Sequence, residues 1–370
     1  MDKYMYWLAT LYMLGSRKQK VLLKHFGSGQ ALWNASPEEL MSVPGLTANN
    51  IRIIQKNKNL SIVNQGLETL KRMAISFVWL GHPDYPSLLS KIPGAPIGLF
   101  YLGRLPKDDM PKVAIIGSRR CSPYGLSTAR SFGLALAKHG VVIVSGMARG
   151  IDSMAHTGAL EADGGCTIAV LGCGVDICYP AENHSLRDNI AKNGCVISEY
   201  PPGVRPLASY FPARNRIISG LSQIVVVVEA GKKSGTLITV DQALDQGRDV
   251  MAVPGNIINK YSQGTNSLIK QGAEVACNYE DILHMLGIEF NEIEFNKTNG
   301  KNIIEERPNI ATDEKLVYDV LASQPFTPLT IDEIIVKSKS QPRDIQHQLT
   351  MLELKGYIKR MPGMKFVIEN

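Results

Sequence analysis

Six short apolar runs, each followed by a segment with helical periodicity, occupy residues 112–287 and constrain the fold more than any other feature. Apolar runs without polar alternation are typical of parallel strands that are buried on both faces. The alternation of strand and helix therefore predicts a doubly wound, mostly parallel α/β sheet. The predicted strands are residues 112–117, 141–145, 166–171, 195–199, 224–229 and 249–253, and the predicted helices are residues 123–138, 151–162, 182–193, 213–222, 236–246 and 279–286.

Two of these strands end in turns that suit an anion. The first runs into Gly117, Ser118, Arg119 and Arg120 just before a predicted helix start, where backbone N–H groups and cations attract negative charge. The next strand ends in a second turn of this kind, which contains Ser145, Gly146, Arg149 and Gly150. Because ligands of open α/β sheets bind outside the carboxyl ends of the strands, we expect a ligand where these two turns meet.

A third candidate turn follows the predicted strand at residues 224–229. Two lysines and two hydroxyls at a helix start favour phosphate binding, although a helix cap with exposed lysines is the alternative. The order of residues differs from a Walker P-loop, and Gly172-Cys173-Gly174 lacks the third glycine of a dinucleotide fingerprint. We therefore predict no bound cofactor. The residues of this turn are Lys232, Lys233, Ser234, Gly235 and Thr236.

A further basic cluster lies between residues 211 and 216. On a helix, Arg214 and Arg216 point about 200° apart, so they cannot serve one site. We expect Arg214 in the ligand cleft and Arg216 paired with an acid such as Glu199 or Asp241. Phe211 is either a core residue or a stacking surface, and its residue type favours the core.

Asp152 and His156 stand four residues apart and therefore share a helix face. They could form a catalytic or metal-binding pair. Because no third ligand or nucleophile is evident nearby, we prefer a structural hydrogen-bonded pair in the first helical turn. The six cysteines form no C-x-x-C pair, which favours reduced thiols over zinc ligands. The sequence thus predicts neither a metal site nor catalytic residues.

Residues 1–74 carry the whole formal excess of positive charge, with ten Lys and Arg against four Asp and Glu in a chain of net charge +6. This excess indicates either a polyanionic partner or a solvated basic surface. Short helices are predicted here, and Pro44-Gly45 between two of them resembles the turn of a helix-hairpin-helix (SAM-like) domain. Such a turn presents N–H groups to phosphates, but an ordinary helical turn also uses Pro-Gly.

The remaining segments flank the sheet. Residues 75–110 contain two predicted strands that extend the sheet edge, so the sheet domain spans residues 75–287. Residues 288–311 have a linker composition. Residues 312–370 predict three helices and a hairpin, a winged helix with eight basic and eight acidic residues. No apolar run approaches the roughly 20 residues of a membrane helix, and we expect a cytoplasmic protein.

The motifs taken together resemble the DNA-processing protein A family (DprA, also called Smf). The resemblance covers the whole sheet domain, and the flanking domains are similar to those of longer members. It is carried by Gly117-Ser118-Arg119-Arg120, by the segments 145–152, 169–174 and 198–203, by Phe211–Arg216, by Ser234–Thr239 and by residues 252–255.

The resemblance implies an extended Rossmann-like fold and a non-enzymatic protein that binds single-stranded DNA. Family members dimerise through the sheet domain and load the RecA recombinase onto incoming strands during natural transformation and homologous recombination. Matching the binding motif residue by residue implies DNA contacts at Gly117, Ser118 and Arg119, with further contacts from residues 211–214 and Lys233.

Two other functions are weighed against this one. Nucleotide phosphoribohydrolases of the lysine-decarboxylase-like group share this style of sheet, but Thr239 stands where their catalytic glutamate belongs. A winged-helix transcription regulator would read duplex DNA, which the neutral charge of residues 312–370 disfavours.

Overall fold

The computed structural model describes residues 2–288, 314–323, 328–338, 342–361 and 363–368. The chain divides into two compact units, residues 1–289 and 290–370, which are described separately below. The predicted linker at residues 288–311 lies, apart from residue 288, outside the described residues, so it remains a prediction.

A nine-stranded sheet forms the centre of the first unit. The sheet has the order β1-β2-β6-β5-β4-β3-β7-β8-β9. All pairs from β6 to β9 are parallel, whereas β1 and β2 add an antiparallel edge. The strands are β1 (Ser76–Trp79), β2 (Gly98–Gly103), β3 (Lys112–Ile116), β4 (Val142–Ser145), β5 (Thr167–Val170), β6 (Cys195–Ser198), β7 (Ile224–Val227), β8 (Asp249–Ala252) and β9 (Glu274–Val275).

The central strands confirm the predicted doubly wound α/β fold. Every residue of β3, β4, β5, β6 and β7 is buried, as expected for strands with helices on both faces. The predicted edge extension at residues 75–110 is also present as β1 and β2. The short edge strand β9 and the helix before it were not predicted, because the helix has only two large apolar residues, Leu268 and Ile269, and the strand has only two residues in all.

Helices cover the sheet and connect its parallel strands. Ser122 caps α8 by accepting a hydrogen bond from the Gly125 N–H at 3.1 Å, and Pro123 supplies the first helical residue. Among the described residues, no helix is both long enough and apolar enough to cross a bilayer. The helices are α7 (Ser87–Ser90), α8 (Pro123–Lys138), α9 (Ile151–Glu161), α10 (His184–Asn193), α11 (Tyr210–Gly220), α12 (Thr236–Asp245), α13 (Gln263–Lys270) and α14 (Tyr279–Met285), with a 3-10 turn at Ala181–Asn183.

Six helices precede the sheet and share a core with it. Trp7 and Leu8 belong to one buried cluster with Phe100 and Val196 of the sheet, so this region packs as part of the first unit. The predicted domain boundary at residue 74 falls inside that unit and stays a prediction. The helices are α1 (Lys3–Thr10), α2 (Ser16–Phe26), α3 (Gly29–Asn34), α4 (Pro37–Met41), α5 (Ala48–Lys56) and α6 (Leu60–Arg72), with a 3-10 turn at Tyr12–Leu14.

The second unit has the elements of a winged helix. Buried Val317, Ile334, Leu349 and Phe366 belong to its core, one from each of the three helices and one from the hairpin. The hairpin strands pair in antiparallel register, and a third short strand joins them. Its elements are α15 (Lys315–Ala322), β10 (Leu329–Thr330), α16 (Ile331–Ser338), α17 (Pro342–Leu354), β11 (Ile358–Met361) and β12 (Lys365–Ile368).

Candidate functional site

An open cleft of about 890 Å³ lies at the carboxyl ends of β3 and β7. These neighbouring strands are the point where the strand order reverses: the chain leaves β3 towards β4 and leaves β7 towards β8. The two following loops therefore diverge and open a crevice between them. The predicted site residues that line the cleft are Gly117, Ser118, Arg119, Arg120, Phe211, Arg214, Lys232, Lys233, Ser234, Gly235 and Thr236.

The loop after β3 forms one wall and is held in place by Glu229. The Ser118 N–H donates to the backbone carbonyl of Glu229 at 2.8 Å. The buried carboxylate of Glu229 accepts from the N–H of Ser122 at 2.8 Å and from its hydroxyl at 2.5 Å. Arg119 and Arg120 are exposed between these anchor points. Glu229 was not assigned a role from the sequence, although an acid directly after a buried apolar strand was a usable signal.

Gly117 is required by close packing at the start of this loop. A Cβ atom there would lie 2.6 Å from a side-chain carbon of Ile151 and 3.0 Å from the Glu229 carbonyl oxygen. Any larger residue would push the loop away from the sheet. Gly117 therefore allows the loop after β3 to lie close against the sheet and form the wall of the cleft.

The loop after β7 forms the opposite wall. Lys232 and Lys233 are exposed, and no ion pair involves them within the described part of the chain. The Thr236 N–H donates to the Ser234 hydroxyl oxygen at 3.3 Å, just before α12 begins with no side-chain cap. The Leu237 and Ile238 N–H groups donate to the Ser234 and Gly235 carbonyls at 3.1 and 3.2 Å, so the attraction for phosphate at this helix start comes from the two ammonium groups and the positive end of the helix dipole.

Aromatic side chains line one side of the cleft. The Phe211 ring centre lies 5.2 Å from that of Tyr179, and the Arg119 guanidinium lies 5.4 Å from the Phe211 ring centre. Phe211 is half-buried in the cleft wall, so the preference for a core role was wrong and the stacking alternative fits its position. Tyr179 is 40% exposed and was not among the predicted site residues.

A third basic contribution comes from the loop between β8 and α13, which was also not predicted. Lys260, Tyr261 and Gln263 line the cleft, and the Lys260 ammonium lies 5.1 Å from the Tyr261 ring centre. The loop follows residues 252–255, which contain the end of the strand predicted at residues 249–253 and a motif of the family resemblance. Only the pairing of β8 with β7 brings it beside the lysines of the second wall.

Arg214 reaches the base of the cleft but is buried. Its guanidinium donates to the Gly146 carbonyl at 2.8 Å and to the Val170 carbonyl. Burial lowers the pKa of Arg214 to about 10, and the nearby Asp152 opposes that shift. Arg214 thus faces the cleft as predicted, but its hydrogen bonds tie Gly146, the residue after β4, to Val170, the last residue of β5.

The predicted hydrogen bond between Asp152 and His156 is absent, because each side chain has another partner. Asp152 accepts from the Ala148 N–H at 3.4 Å, and burial raises its pKa while Arg214 opposes the shift. His156 Nδ1 lies 2.7 Å from the Thr167 hydroxyl, which itself donates to a backbone carbonyl. Burial lowers the pKa of His156 to about 3, so the imidazole is neutral at physiological pH. Within the described residues, no cluster of three metal-ligating side chains occurs.

Ala148 of the second predicted turn lines the cleft, but the four predicted site residues of that turn, Ser145, Gly146, Arg149 and Gly150, do not. Ser145 is buried and its hydroxyl donates to the Ile115 carbonyl at 2.7 Å, while Arg149 is exposed and paired with Glu182. A Cβ atom at Gly146 would lie 2.6 Å from the Arg214 guanidinium, and one at Gly150 would lie 2.6 Å from the Ser118 carbonyl oxygen. The two turns therefore do meet, at Gly150 and Ser118, but the open cleft lies between the loop after β3 and the loop after β7. The expectation of a ligand at the meeting point of the first two turns stays a prediction.

Two other side chains near the site are accounted for. Arg216 donates to Glu199 at 2.6 Å and to the Gly94 carbonyl at 2.8 Å, which confirms the predicted pairing with an acid. Burial, with Glu229 nearby, raises the pKa of Cys121 to about 11. This thiol is therefore protonated at neutral pH and is a poor nucleophile.

Comparison with known proteins finds two family models and several bacterial proteins that are similar to this chain. Residues 76–287 match the model of the family described as DNA recombination-mediator protein A, and residues 305–364 match that of the DprA winged helix domain. The chain is 36% identical over 392 residues to the Protein Smf of Synechocystis sp., with 98% of each chain covered.

Two solved structures are similar to the fold. The DNA processing protein A (DprA) of Streptococcus pneumoniae is 35% identical, with a TM-score of 0.67 over 79% of this chain and 99% of that one. The DNA processing protein A of Helicobacter pylori is 32% identical, with a TM-score of 0.53 over 59% of this chain and 97% of that one. The second structure is described for its unique single-stranded DNA binding mode.

Proposed function

This chain belongs to the DNA recombination-mediator protein A family, and from that premise we propose that it binds single-stranded DNA in the cleft between β3 and β7. The observation that carries the proposal is the convergence of five exposed cations on one cleft, none in an ion pair within the described residues. A phosphate backbone is the polyanion that such a cleft fits best. The five are Arg119, Arg120, Lys232, Lys233 and Lys260.

The aromatic side chains of the cleft support a single strand over a duplex. The exposed face of Tyr179 and the half-buried Phe211 stand beside Arg119, and Tyr261 stands beside Lys260. Unpaired bases can stack on such faces, whereas the bases of a duplex are already stacked and paired. Stacking is sequence-tolerant, so we expect little preference among bases.

We propose that the bound strand is not chemically altered. The one carboxylate in the cleft lining, Asp152, is buried and takes part in the network of Arg214. Thr239 lies in the cleft lining as a buried residue, and a threonine cannot act as the carboxylate of a phosphoribohydrolase. These features support a binding role without catalysis, and no cofactor is part of the proposal.

Fluorescence anisotropy with a labelled oligo-dT strand over a salt series tests the proposal. We expect the native protein to bind the single strand more tightly than a duplex of the same length and to weaken as salt rises. Each neutralised phosphate contributes about −0.7 to the slope of log affinity against log salt, so the Arg119→Ala/Lys233→Ala double variant loses about 1.4 of that slope. The matched control is Arg130→Ala, an exposed arginine that pairs with Glu161 outside the cleft.

Two results would count against the cleft. Tight binding that the double variant leaves unchanged would move the site to the basic helices of residues 1–74. No binding of single strands at any salt concentration would reject the DNA proposal, and release of free base from nucleotide monophosphates would favour the phosphoribohydrolase.

We also propose the finer properties that family membership implies: homodimerisation through the sheet domain, a cytoplasmic location, and loading of RecA onto single strands during transformation and recombination. Family membership alone supports them. Sedimentation of the full chain tests the dimer. Faster RecA-dependent ATP hydrolysis on strands coated with single-strand-binding protein would support loading, and an unchanged rate would oppose it.

A further inference from the structure

The loop between β8 and α13 exposes two consecutive isoleucines. Ile257 is 84% exposed and Ile258 is 85% exposed, more than any other large hydrophobic side chain in the described part of the chain. We call this pair the isoleucine tip. Leaving both side chains in water forgoes the stabilisation that burial would give, so the tip is a candidate contact surface.

The backbone on both sides of the isoleucine tip is held by hydrogen bonds. The Asn256 side chain accepts from the Ile258 N–H at 3.1 Å, and the Asn259 side chain accepts from the Tyr261 N–H at 3.0 Å. The Asn266 side chain of α13 accepts a hydrogen bond from the Gly255 N–H at 3.2 Å and donates one to the Gly255 carbonyl at 2.9 Å. Isoleucine is branched at Cβ and has few rotamers, so an ordered loop presents a preformed apolar surface.

The isoleucine tip is continuous with the cleft. Lys260 and Tyr261, two and three residues after Ile258, line the cleft beside the lysines of the second wall. A strand whose phosphates follow Lys260 out of the cleft therefore passes the tip. The side chains flanking the tip are polar or basic, namely Asn256, Asn259 and Lys260, which suits a nucleic acid whose bases are apolar on their faces only.

The size of the tip also favours a base over a protein surface. Stable protein interfaces bury about 1,200–2,000 Å², far more than two side chains on a turn can supply. The face of a single nucleobase, by contrast, matches the area that the two isoleucine side chains can cover. Isoleucine is among the apolar side chains that proteins insert against or between bases.

Resting on the proposed function, we propose that the isoleucine tip packs against a base of the single strand where the strand leaves the cleft past Lys260. This contact adds affinity without neutralising a phosphate. It therefore changes the strength of binding at every salt concentration and leaves the salt slope unchanged.

The test compares the full-length Ile257→Ser/Ile258→Ser variant with the native protein on labelled oligo-dT over a salt series. We expect about tenfold weaker binding at each salt concentration with the native slope, since contact with one base contributes on this scale. The Ile257→Leu/Ile258→Leu variant should restore most of the affinity. The matched control is Ile62→Ser, an isoleucine of α6 that is 64% exposed.

A second probe identifies the contacted group. On an abasic strand, which keeps the phosphates and sugars but lacks bases, the native protein and the serine variant should bind equally. If the tenfold difference persists on the abasic strand, the contact is not with a base and the proposal is wrong.

The remaining outcomes separate this proposal from the proposed function. Native affinity in the serine variant, together with a salt-dependent native protein, would overturn the tip contact and leave the cleft intact. Absence of binding by the native protein would overturn both. A change in sedimentation without a change in affinity would make the tip a contact between protein chains and would also overturn the proposal.

Discussion

Arg119 and Arg214 lie 5.4 and 5.9 Å from the centre of the same Phe211 ring, yet they belong to different regions of the site. Arg119 is exposed on the cleft rim, where its charge is available to a ligand. Arg214 is buried at the cleft base and bonds two backbone carbonyls. Identical side chains are therefore available to a ligand in one region and hold the architecture in the other, and exposure to solvent decides which.

The motif residues at the base of the cleft are small or polar because they pack around the Arg214 guanidinium. Gly146 leaves room for the Arg214 guanidinium, and Asp152 supplies negative charge near it. No acidic partner of the five rim cations occurs within the described residues. The base of the cleft holds the buried Arg214 and Asp152, and the neutral His156 is buried behind it. Removing a cation from the rim of the cleft should weaken DNA binding. Removing a residue from the bottom of the cleft should lower the free energy of unfolding.

The largest effect separating the two regions is expected for Arg214→Met. The variant leaves the Gly146 and Val170 carbonyls without donors and Asp152 without a nearby cation, so the free energy of unfolding should fall by about 3–5 kcal/mol. Urea unfolding followed by tryptophan fluorescence measures it. The three tryptophans lie in the first unit, and Trp7 shares a buried cluster with Met147 and Leu171, which flank the bonded carbonyls.

Arg119→Met is the control for that measurement. An exposed side chain without an ion pair should change the free energy of unfolding by at most about 0.5 kcal/mol. If Arg119→Met and Arg214→Met lower the free energy of unfolding equally, the rim and the bottom of the cleft do not differ in their contribution to stability.

The next effect is the part of the pH dependence of stability that comes from the buried His156. The pKa of His156 is about 3 in the folded protein, below its usual value of about 6.5. The unfolded chain therefore takes up this proton first, and the stability present above pH 6.5 is lost as the pH falls towards 3. Between pH 6.5 and 5 this proton should remove about 2 kcal/mol.

The His156→Asn variant isolates that proton. Asp152, whose raised pKa acts in the opposite direction, is present in both proteins, so the difference between their stability curves belongs to His156. Urea unfolding at pH 5 and pH 7 should show a smaller acid loss in the variant, and Arg119→Ala should retain the native loss. An unchanged acid loss in His156→Asn would show that the imidazole is not buried in its neutral form.

A smaller effect is expected for Lys260→Ala, which tests whether the loop between β8 and α13 belongs to the rim. Loss of one phosphate contact should reduce the salt slope for oligo-dT by about 0.7 and leave the urea midpoint unchanged. Lys71→Ala, an exposed lysine paired with Glu68 on α6, should keep the native slope. A native slope in Lys260→Ala would restrict the rim to the loops after β3 and β7.

The smallest effect is expected for Arg149→Ala. Arg149 is exposed but pairs with Glu182 outside the cleft lining, so both the affinity for oligo-dT and the urea midpoint should stay at their native values. If Arg149→Ala weakens binding of oligo-dT as much as Lys260→Ala does, the turn after β4 also belongs to the rim.

The sequence predicted most of the fold because its signals are local. The run at residues 113–116 can only be a buried strand, and Ser122-Pro123 marks a helix start, so the confirmed elements follow from a few adjacent residues each. The α13 helix and β9 were missed because Gln263–Lys270 is short and mixes polar and apolar residues. The candidate site was predicted in part. The sequence indicated each basic turn, but it did not indicate which turns lie side by side in the folded chain.

The sequence by itself determined the doubly wound sheet, the winged helix and the presence of basic turns after strands, because hydrophobic periodicity and turn residues act over a few positions. Only the tertiary structure decided that the open cleft lies between the loop after β3 and the loop after β7. It also decided that Lys260 joins the rim and that Arg214 lies below it. Strand order and burial depend on packing between residues far apart in the chain, and burial determines whether a charged side chain faces a ligand or holds the fold.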